Sequence, residues 1–233
     1  MIFQIGLIFL ISYFLGSIPF GLILVRLISG KDVRKVESGR TGTTNAGRAA
    51  GLWAAIGTAL LDGFKAAAAV WIAKWLTPNL YWVHVLAPIL AILGHNYSIF
   101  LIEKSPDGKI RLRGGAGGAS CVGGSLGLWA PSIAIILPVA VLLLYFVGYA
   151  SVTTMSMALL SIIIFAVRAI WFQAPWEYIF YGIFSELLII WALRPNIRRL
   201  IKGNERLVGR RAKKMKQKQP IQNHSSSSVS SSS

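Results

Sequence analysis

Residues Glu37 to Arg48 read ESGRTGTTNAGR, a polar, glycine-rich run set between two long apolar stretches, Ile2 to Ile28 and Leu52 to Leu76. Each flanking stretch exceeds the roughly 20 residues a helix needs to cross a bilayer. The run therefore reads as a loop between two membrane spans. Its glycines let the backbone turn tightly and bring N–H groups close to a ligand. Its hydroxyls and amide can donate hydrogen bonds, and Arg40 and Arg48 supply fixed charge. These are the parts of an anion cradle. Gly, Ser, Thr and Asn also fill ordinary connecting loops, but a second glycine-rich basic stretch, Arg111 to Gly124 (RLRGGAGGASCVGG), favours the cradle.

Composition agrees with a membrane protein. Of 233 residues, 55% are hydrophobic and only 14% charged, more apolar than a soluble domain keeps in solution. The expected fold is all-α, a polytopic integral membrane protein of about seven transmembrane helices. Lys plus Arg number 24 against 8 Asp plus Glu, a formal charge of +16. On a soluble chain that excess would suggest nucleic acid. Here the cations sit in a few short loops and one tail, so topology accounts for them and no nucleic-acid partner is expected. One cysteine, Cys121, excludes an internal disulfide. The three histidines, His84, His95 and His224, are too far apart in sequence to suggest a metal cluster. Neither metal nor cofactor is expected. No basic region precedes the first apolar run, which reads as an uncleaved span.

The first span runs from Ile2 to Ile28 with a bend at Pro19, where Gly16 and Gly21 allow a neighbour to approach closely. The second, Leu52 to Leu76, carries Asp62 and Lys65 three residues apart, on one helical face and able to pair. Such a pair marks function or simply joins helices. The third runs from about Trp82 to Ile102 and contains Gly94, His95 and Asn96. The fourth begins at the RGGAGGAS loop and ends near Trp129, so glycines stand where unpaired helix N–H groups point into the loop. The loop lacks the Gly-Lys-Ser/Thr ending of a Walker motif. The fifth opens at Pro131 and reaches Tyr149, and the sixth follows the hydroxyl-rich Ser151 to Ser156 junction and ends near Ala169. The seventh, Tyr178 to Leu193, leads into the basic tail.

Twenty of the 24 cations fall in the loops 29–51 and 103–113 and in the tail from Arg194. With seven spans these segments share one face, which the positive-inside rule makes cytoplasmic, with the N-terminus outside and the C-terminus inside. Residues 1–200 then form the membrane domain, and 201–233 a basic, then serine-rich, disordered tail near anionic lipid. The sequence shows no internal repeat. All the polar candidates collect at the cytoplasmic boundary beside an apolar wall, where a ligand with a phosphate head and an apolar tail would fit.

The ordered set GSIPFG, Asp32-Val33-Arg34, SGRTGTTN, Leu61-Asp62-Gly63-Phe64-Lys65, Gly94-His95-Asn96, RGGAGGAS, Ser151-Val152-Thr153-Thr154 and Asn196-Ile197-Arg198-Arg199-Leu200 resembles the bacterial glycerol-3-phosphate acyltransferases that use acyl phosphate. The resemblance covers about residues 4 to 210. It implies a seven-span enzyme of the bacterial inner membrane, active on its cytoplasmic face. That enzyme would move an acyl group from acyl phosphate to the 1-hydroxyl of glycerol 3-phosphate, giving lysophosphatidic acid and phosphate. It implies catalytic roles for Ser38, Arg48, His95 and Ser151, with His95 as the candidate side-chain base. Phosphate and substrate binding fall to Gly39, Thr43, Thr44, Asn45, Arg113, Gly114, Gly115, Gly117, Thr154 and Asn196. The chain departs from the family pattern at Arg40, usually Asn, at Ala116, usually Lys, at Gly148-Tyr149, where an arginine is usual, and at Leu193, usually His. Two other readings are a relative that binds a lipid phosphate without turning it over, and an organic-phosphate transporter. The transporter is disfavoured because only Asp62 and Lys65 lie deep in a span.

Overall fold

The computed structural model describes residues 1–104 and 108–218. Its helices are α1 (Ile2–Ser17), α2 (Phe20–Ser29), α3 (Thr43–Ala50), α4 (Leu52–Leu76), α5 (Tyr81–Asn96), α6 (Gly118–Leu128), α7 (Ser132–Phe146), α8 (Ala150–Phe172), α9 (Tyr178–Ile201) and α10 (Gly209–Lys218). Among the described residues, five segments are long and apolar enough to cross a membrane: Ile2–Ser29, Leu52–Leu76, Tyr81–Leu101, Ala150–Phe172 and Tyr178–Ile201.

Pro19 separates α1 from α2 because it has no N–H to continue the ladder and pushes Ile18 into an extended conformation. The Ile18 carbonyl accepts instead from Lys65 Nζ at 2.9 Å. The expected close approach is present: a methyl group on Gly16 would overlap the Ala91 carbonyl of α5. Helix α6 crosses α4 just as tightly, with Gly123 against the Gly63 backbone.

Contacts divide the bundle into two ends. At one end Gln4 Nε2 donates to the Leu76 carbonyl, His84 lies between Tyr178 and the Thr77 carbonyl, and Lys74 Nζ donates to the Gly127 and Leu128 carbonyls. Lys74 thereby caps the last turn of α6, whose carbonyls have no helical partner. The other end gathers the Glu37–Arg48 loop, the start of α6, the α7–α8 corner and the end of α9.

Four expectations change. The fourth span is only the 11-residue α6, about 16 Å at 1.5 Å per residue, roughly half the hydrocarbon thickness. The fifth is the 15-residue α7. The second basic loop is not bare: β1 (Ile102–Lys104) and β2 (Ile110–Leu112) pair antiparallel, with Glu103 opposite Arg111, a small addition to an otherwise helical fold. Helix α9 does not stop at Leu193 but runs through Pro195 to Ile201. Pro195 has no N–H for the Trp191 carbonyl four residues back, and Arg194 Nε supplies that donor at 2.9 Å.

The tail read as disordered begins with structure. Tyr149 bridges to Leu207, Val208 N donates to the Gly148 carbonyl, and α10 docks on α7 through Arg210 over the Tyr145 ring. Backbone pairing and cation–π contact offset the ordering cost that its composition suggested would go unmet. The serine run lies outside the described residues.

Candidate active site

Asp32 begins the construction of the site. Its carboxylate accepts from the Arg34 backbone N–H at 2.9 Å and pairs with Arg34 Nη2 at 2.7 Å. Hydrogen bonding from the Arg34 side chain, ahead of every other cause, holds the Asp32 carboxyl well below the usual carboxylate range. Arg34 also reaches Glu103 at 3.1 Å, and Glu103 pairs with Arg113 at 2.6 Å. A chain of alternating charges therefore joins the first loop to the hairpin and to the glycine loop 113–117.

Asn45 staples the first loop from inside. Its amide nitrogen lies 2.8 to 2.9 Å from the Val33, Val36 and Arg40 carbonyls. The nitrogen expected to orient substrate is thus occupied by backbone, while the buried Oδ1 has no partner. The glycine loop is laced to its surroundings by Ser98 N to Arg113 O, Gly115 N to His95 O and Thr41 N to Gly114 O.

His95 is buried at the floor. Lys65 Nζ lies 3.0 Å from His95 Nδ1 and 2.7 Å from Asp62 Oδ1, the latter an ion pair whose angle misses hydrogen-bond alignment. An ammonium has donors only. Nδ1 also lies 3.5 Å from the Asp62 carboxylate, so it either accepts from Lys65 or donates to Asp62, and Nε2 faces Gly115, where a Cβ would overlap it. His95 is thereby tied to the Asp62–Lys65 pair through one ring nitrogen and turned towards the glycine loop with the other.

A cavity of about 570 Å³ opens above this floor. Ser38, Thr43, Thr44, Asn45, Arg48, His95, Gly117, Ser151, Thr154 and Asn196 all line it, so most of the expected residues converge. Two helix N-termini, of α3 at Thr43 and of α6 at Gly118, also meet here, each presenting unpaired N–H groups and positive dipole charge. Arg40, Arg48 and Arg199 line it without an ion-pair partner among the described residues. Burial lowers the pKa of Arg40 and of Arg48, though a guanidinium keeps its proton. The opposite wall is apolar, with Leu60, Phe64, Leu126, Ile133, Leu137 and Met157.

Gly39, Arg113, Gly114 and Gly115 are not part of this cavity. They line a second one of about 610 Å³ on the far side of Arg40. Thr154 lines the first cavity, but its hydroxyl bonds back to the Ala150 carbonyl at 2.8 Å.

Sequence reading left out Glu205, which is buried and accepts from Ser151 Oγ at 2.6 Å and from Asn196 Nδ2 at 3.0 Å. A lone acid between Arg199 and Arg206, in a segment otherwise rich in cations, was the available signal. Arg199 was read as part of the last motif with no role assigned, and Arg206 only as a topology charge. Arg206 pairs with Glu37 at 3.0 Å across the mouth.

Fold and site together define a helical membrane protein whose cavity is cationic on one side and apolar on the other. Comparison with known proteins agrees. The family model described as glycerol-3-phosphate acyltransferase matches residues 6–203, and the chain belongs to that family. A glycerol-3-phosphate acyltransferase from Halalkalibacterium halodurans is 34% identical over 202 residues, covering 86% of this chain and 93% of that protein. One from Thermus thermophilus is 35% identical over 206 residues, covering 87% and 94%. The crystal structure of PlsY (YgiH), an integral membrane glycerol 3-phosphate acyltransferase, in its glycerol 3-phosphate form, superposes with a TM-score of 0.76 at 27% identity, covering 88% of this chain and 96% of that one. Its lysophosphatidic acid form gives 0.73 at 26% identity.

Proposed function

We propose that this acyltransferase of phospholipid synthesis takes its acyl group from acyl phosphate and delivers it to the 1-hydroxyl of glycerol 3-phosphate, releasing lysophosphatidic acid and phosphate. The observation that carries the reading is the joining, in one cavity, of three ion-pair-free arginines and two helix N-termini to an apolar trough. Acyl phosphate is a mixed anhydride, already activated, so the acceptor hydroxyl attacks the carbonyl carbon directly. The bond from that carbon to the bridging phosphate oxygen breaks, and phosphate leaves.

Positive charge and oriented N–H groups favour that departure, because negative charge grows on the leaving oxygen. Arg48, Arg199 and the α3 terminus serve one phosphate, and Arg40 with the α6 terminus the other. Ser38 lies at the mouth to orient the acceptor. With His95 Nδ1 engaged by the Lys65–Asp62 pair, and Glu205 receiving Ser151 and Asn196, the attacking hydroxyl loses its proton to the departing phosphate, which is basic enough to take it.

In this reading α1–α2, α4, α5, α6, α7, α8 and α9 make seven passes, α6 and α7 being completed by protein rather than lipid. Alternation of the contacts between the two ends supports that path. The loop-rich end faces the cytoplasm of a bacterial inner membrane, by the distribution of Lys and Arg. Residues 1–200 supply the membrane part of the reaction site, and Glu205 and Arg206 join it from the chain that follows.

Purified protein in lipid, given palmitoyl phosphate and labelled glycerol 3-phosphate, is expected to form labelled lysophosphatidic acid. R48A is expected to insert normally and make none. Well-folded wild-type protein that binds both substrates without product would instead make it a binding relative.

A further inference from the structure

We infer that the outward face of the β1–β2 hairpin is a lipid-docking surface, lodged in the interfacial layer of the bilayer, and that this contact holds Arg113 and the glycine loop at their level. Alternate side chains of a strand point to opposite faces. The register puts Glu103 and Arg111 on one face and Ile102, Lys104, Ile110 and Leu112 on the other. Glu103 turns to the protein, where it pairs with Arg34 at 3.1 Å and with Arg113 at 2.6 Å. The apolar face is turned outward: Ile102 is 54% exposed, Ile110 69% and Leu112 39%. A hairpin packed on a protein in water shows the reverse, with apolar residues inward and polar residues outward. Ion pairs inward and a contiguous apolar face outward suit surroundings that are themselves apolar.

Two contacts fix the depth of the hairpin. At its base Phe100 lies against Phe14, with ring centroids 6.2 Å apart, and Phe14 stands near the middle of the membrane segment Ile2–Ser29. On its inner face Glu103 is tied through Arg34 to Asp32, just beyond the end of that segment. The hairpin therefore starts below the membrane boundary and rises through it. Exposed Ile99 and Phe100 carry its apolar face down to the exposed side of α1 at Phe14. Two strands alone leave backbone groups unpaired at their edges, and hydrocarbon offers those groups no partners, so the headgroup level is the depth that suits both the edges and the face. Lys104, exposed at the end of β1 on the same face, can lay its stem on that face and reach lipid phosphate with its ammonium.

The occupant is lipid, and not a second copy of the chain, because the face runs without a break into the exposed side of a membrane span. Apolar contact on one face and ion pairs to Arg34 and Arg113 on the other give the hairpin a fixed height. Arg113 opens the glycine loop, and its carbonyl accepts from Ser98 N at 3.0 Å. The bilayer is thereby one of the supports of that loop. This goes beyond the acyl-transfer reading and stands whether or not product forms.

The test places a bimane label on I110C, an exposed position, in full-length protein reconstituted into phosphatidylcholine vesicles. Cys121 is buried, and wild type treated alike reports any labelling there. Nitroxide lipids labelled near the glycerol backbone or near the chain end probe depth, and iodide probes water. The backbone-level nitroxide is expected to quench at least about twice as strongly as the chain-end nitroxide, as for a group about 5–10 Å into the headgroup boundary. Iodide should quench the label less than it quenches free bimane in the same buffer. Adding I102D is expected to remove at least about half of the lipid quenching, while amide exchange over residues 113–117 rises about threefold. Iodide quenching equal to that of the free label overturns the inference. So does shielding from both quenchers that lifts when protein is diluted in lipid, which assigns the face to a second copy. Lipid quenching retained in I102D removes the apolar face as its cause, and unchanged exchange after the contact is lost removes the support given to the glycine loop.

Discussion

The Ser151 hydroxyl donates to Glu205 Oε2 at 2.6 Å, joining the first turn of α8 to a carboxylate 54 residues further along the chain. Asn196 Nδ2 holds the other oxygen at 3.0 Å. E205A removes an acceptor shared by two buried donors, and leaving such donors unmet costs about 1–3 kcal/mol. Turnover is expected to fall at least tenfold, with a lower thermal midpoint in detergent. E205Q retains one acceptor oxygen and should lie between E205A and wild type. Equal midpoints for E205A and wild type would show that the pair does not brace the site.

The buried ion pair sets a second expectation. K65M leaves Asp62 charged with Lys65 gone, and stranding one partner of a buried pair costs about 3–5 kcal/mol. D62N/K65M removes both charges and should be the more stable of the two. Unfolding of D62N, K65M and the double variant completes a cycle, and purely additive losses would mean that the residues do not act together.

Gly115 and Gly6 give opposite results for the same substitution. An added methyl at Gly115 overlaps His95 Nε2, whereas at Gly6, within α1, it meets nothing within 4 Å. G115A should displace the glycine loop and abolish activity. G6A should leave activity intact and stabilise α1 by about 0.5–1 kcal/mol, the usual gain from replacing a helical glycine.

Asp32 supplies a pH test. Its folded-state pKa is lowered by Arg34, so its contribution is complete above the unfolded value of about 3.9 and is lost only as pH falls through the lower folded value. The difference in thermal midpoint between wild type and D32N should stay constant from pH 5 to 8 and narrow only in strong acid. A gap that closes near pH 6 would point to a different titrating group.

Much of this was legible in the sequence because its signals are local. Long apolar runs mark the spans, and Pro19 marks the break between α1 and α2. The spacing of Asp62 and Lys65 anticipates their pairing. What stayed hidden depends on distant carbonyls and on the path of the chain. Nothing near Arg194 announces that α9 continues past Pro195, because the substitute donor is a side chain. Glu205 looked like part of a solvated tail because its partners, Ser151 and Asn196, come from other segments. The expected phosphate residues read as one group in sequence, but Arg40 divides them between two cavities. The setting of His95 was hidden for the same reason, since Lys65, 30 residues away, lies against its Nδ1.

The shortness of α6 has a bearing on how reactants of unlike solubility meet. In the seven-pass reading, a helix of 11 residues, capped at one end by Lys74 and starting at Gly118 on the reaction cavity, would set the polar working level below the headgroup plane. In that reading a lipid-borne acyl donor would react at the depth where its carbonyl already resides, and only the water-soluble partner would travel. Host bilayer thickness would then become a kinetic variable for this enzyme: lipids with longer tails would bury the working level further and lengthen the path of the soluble partner alone.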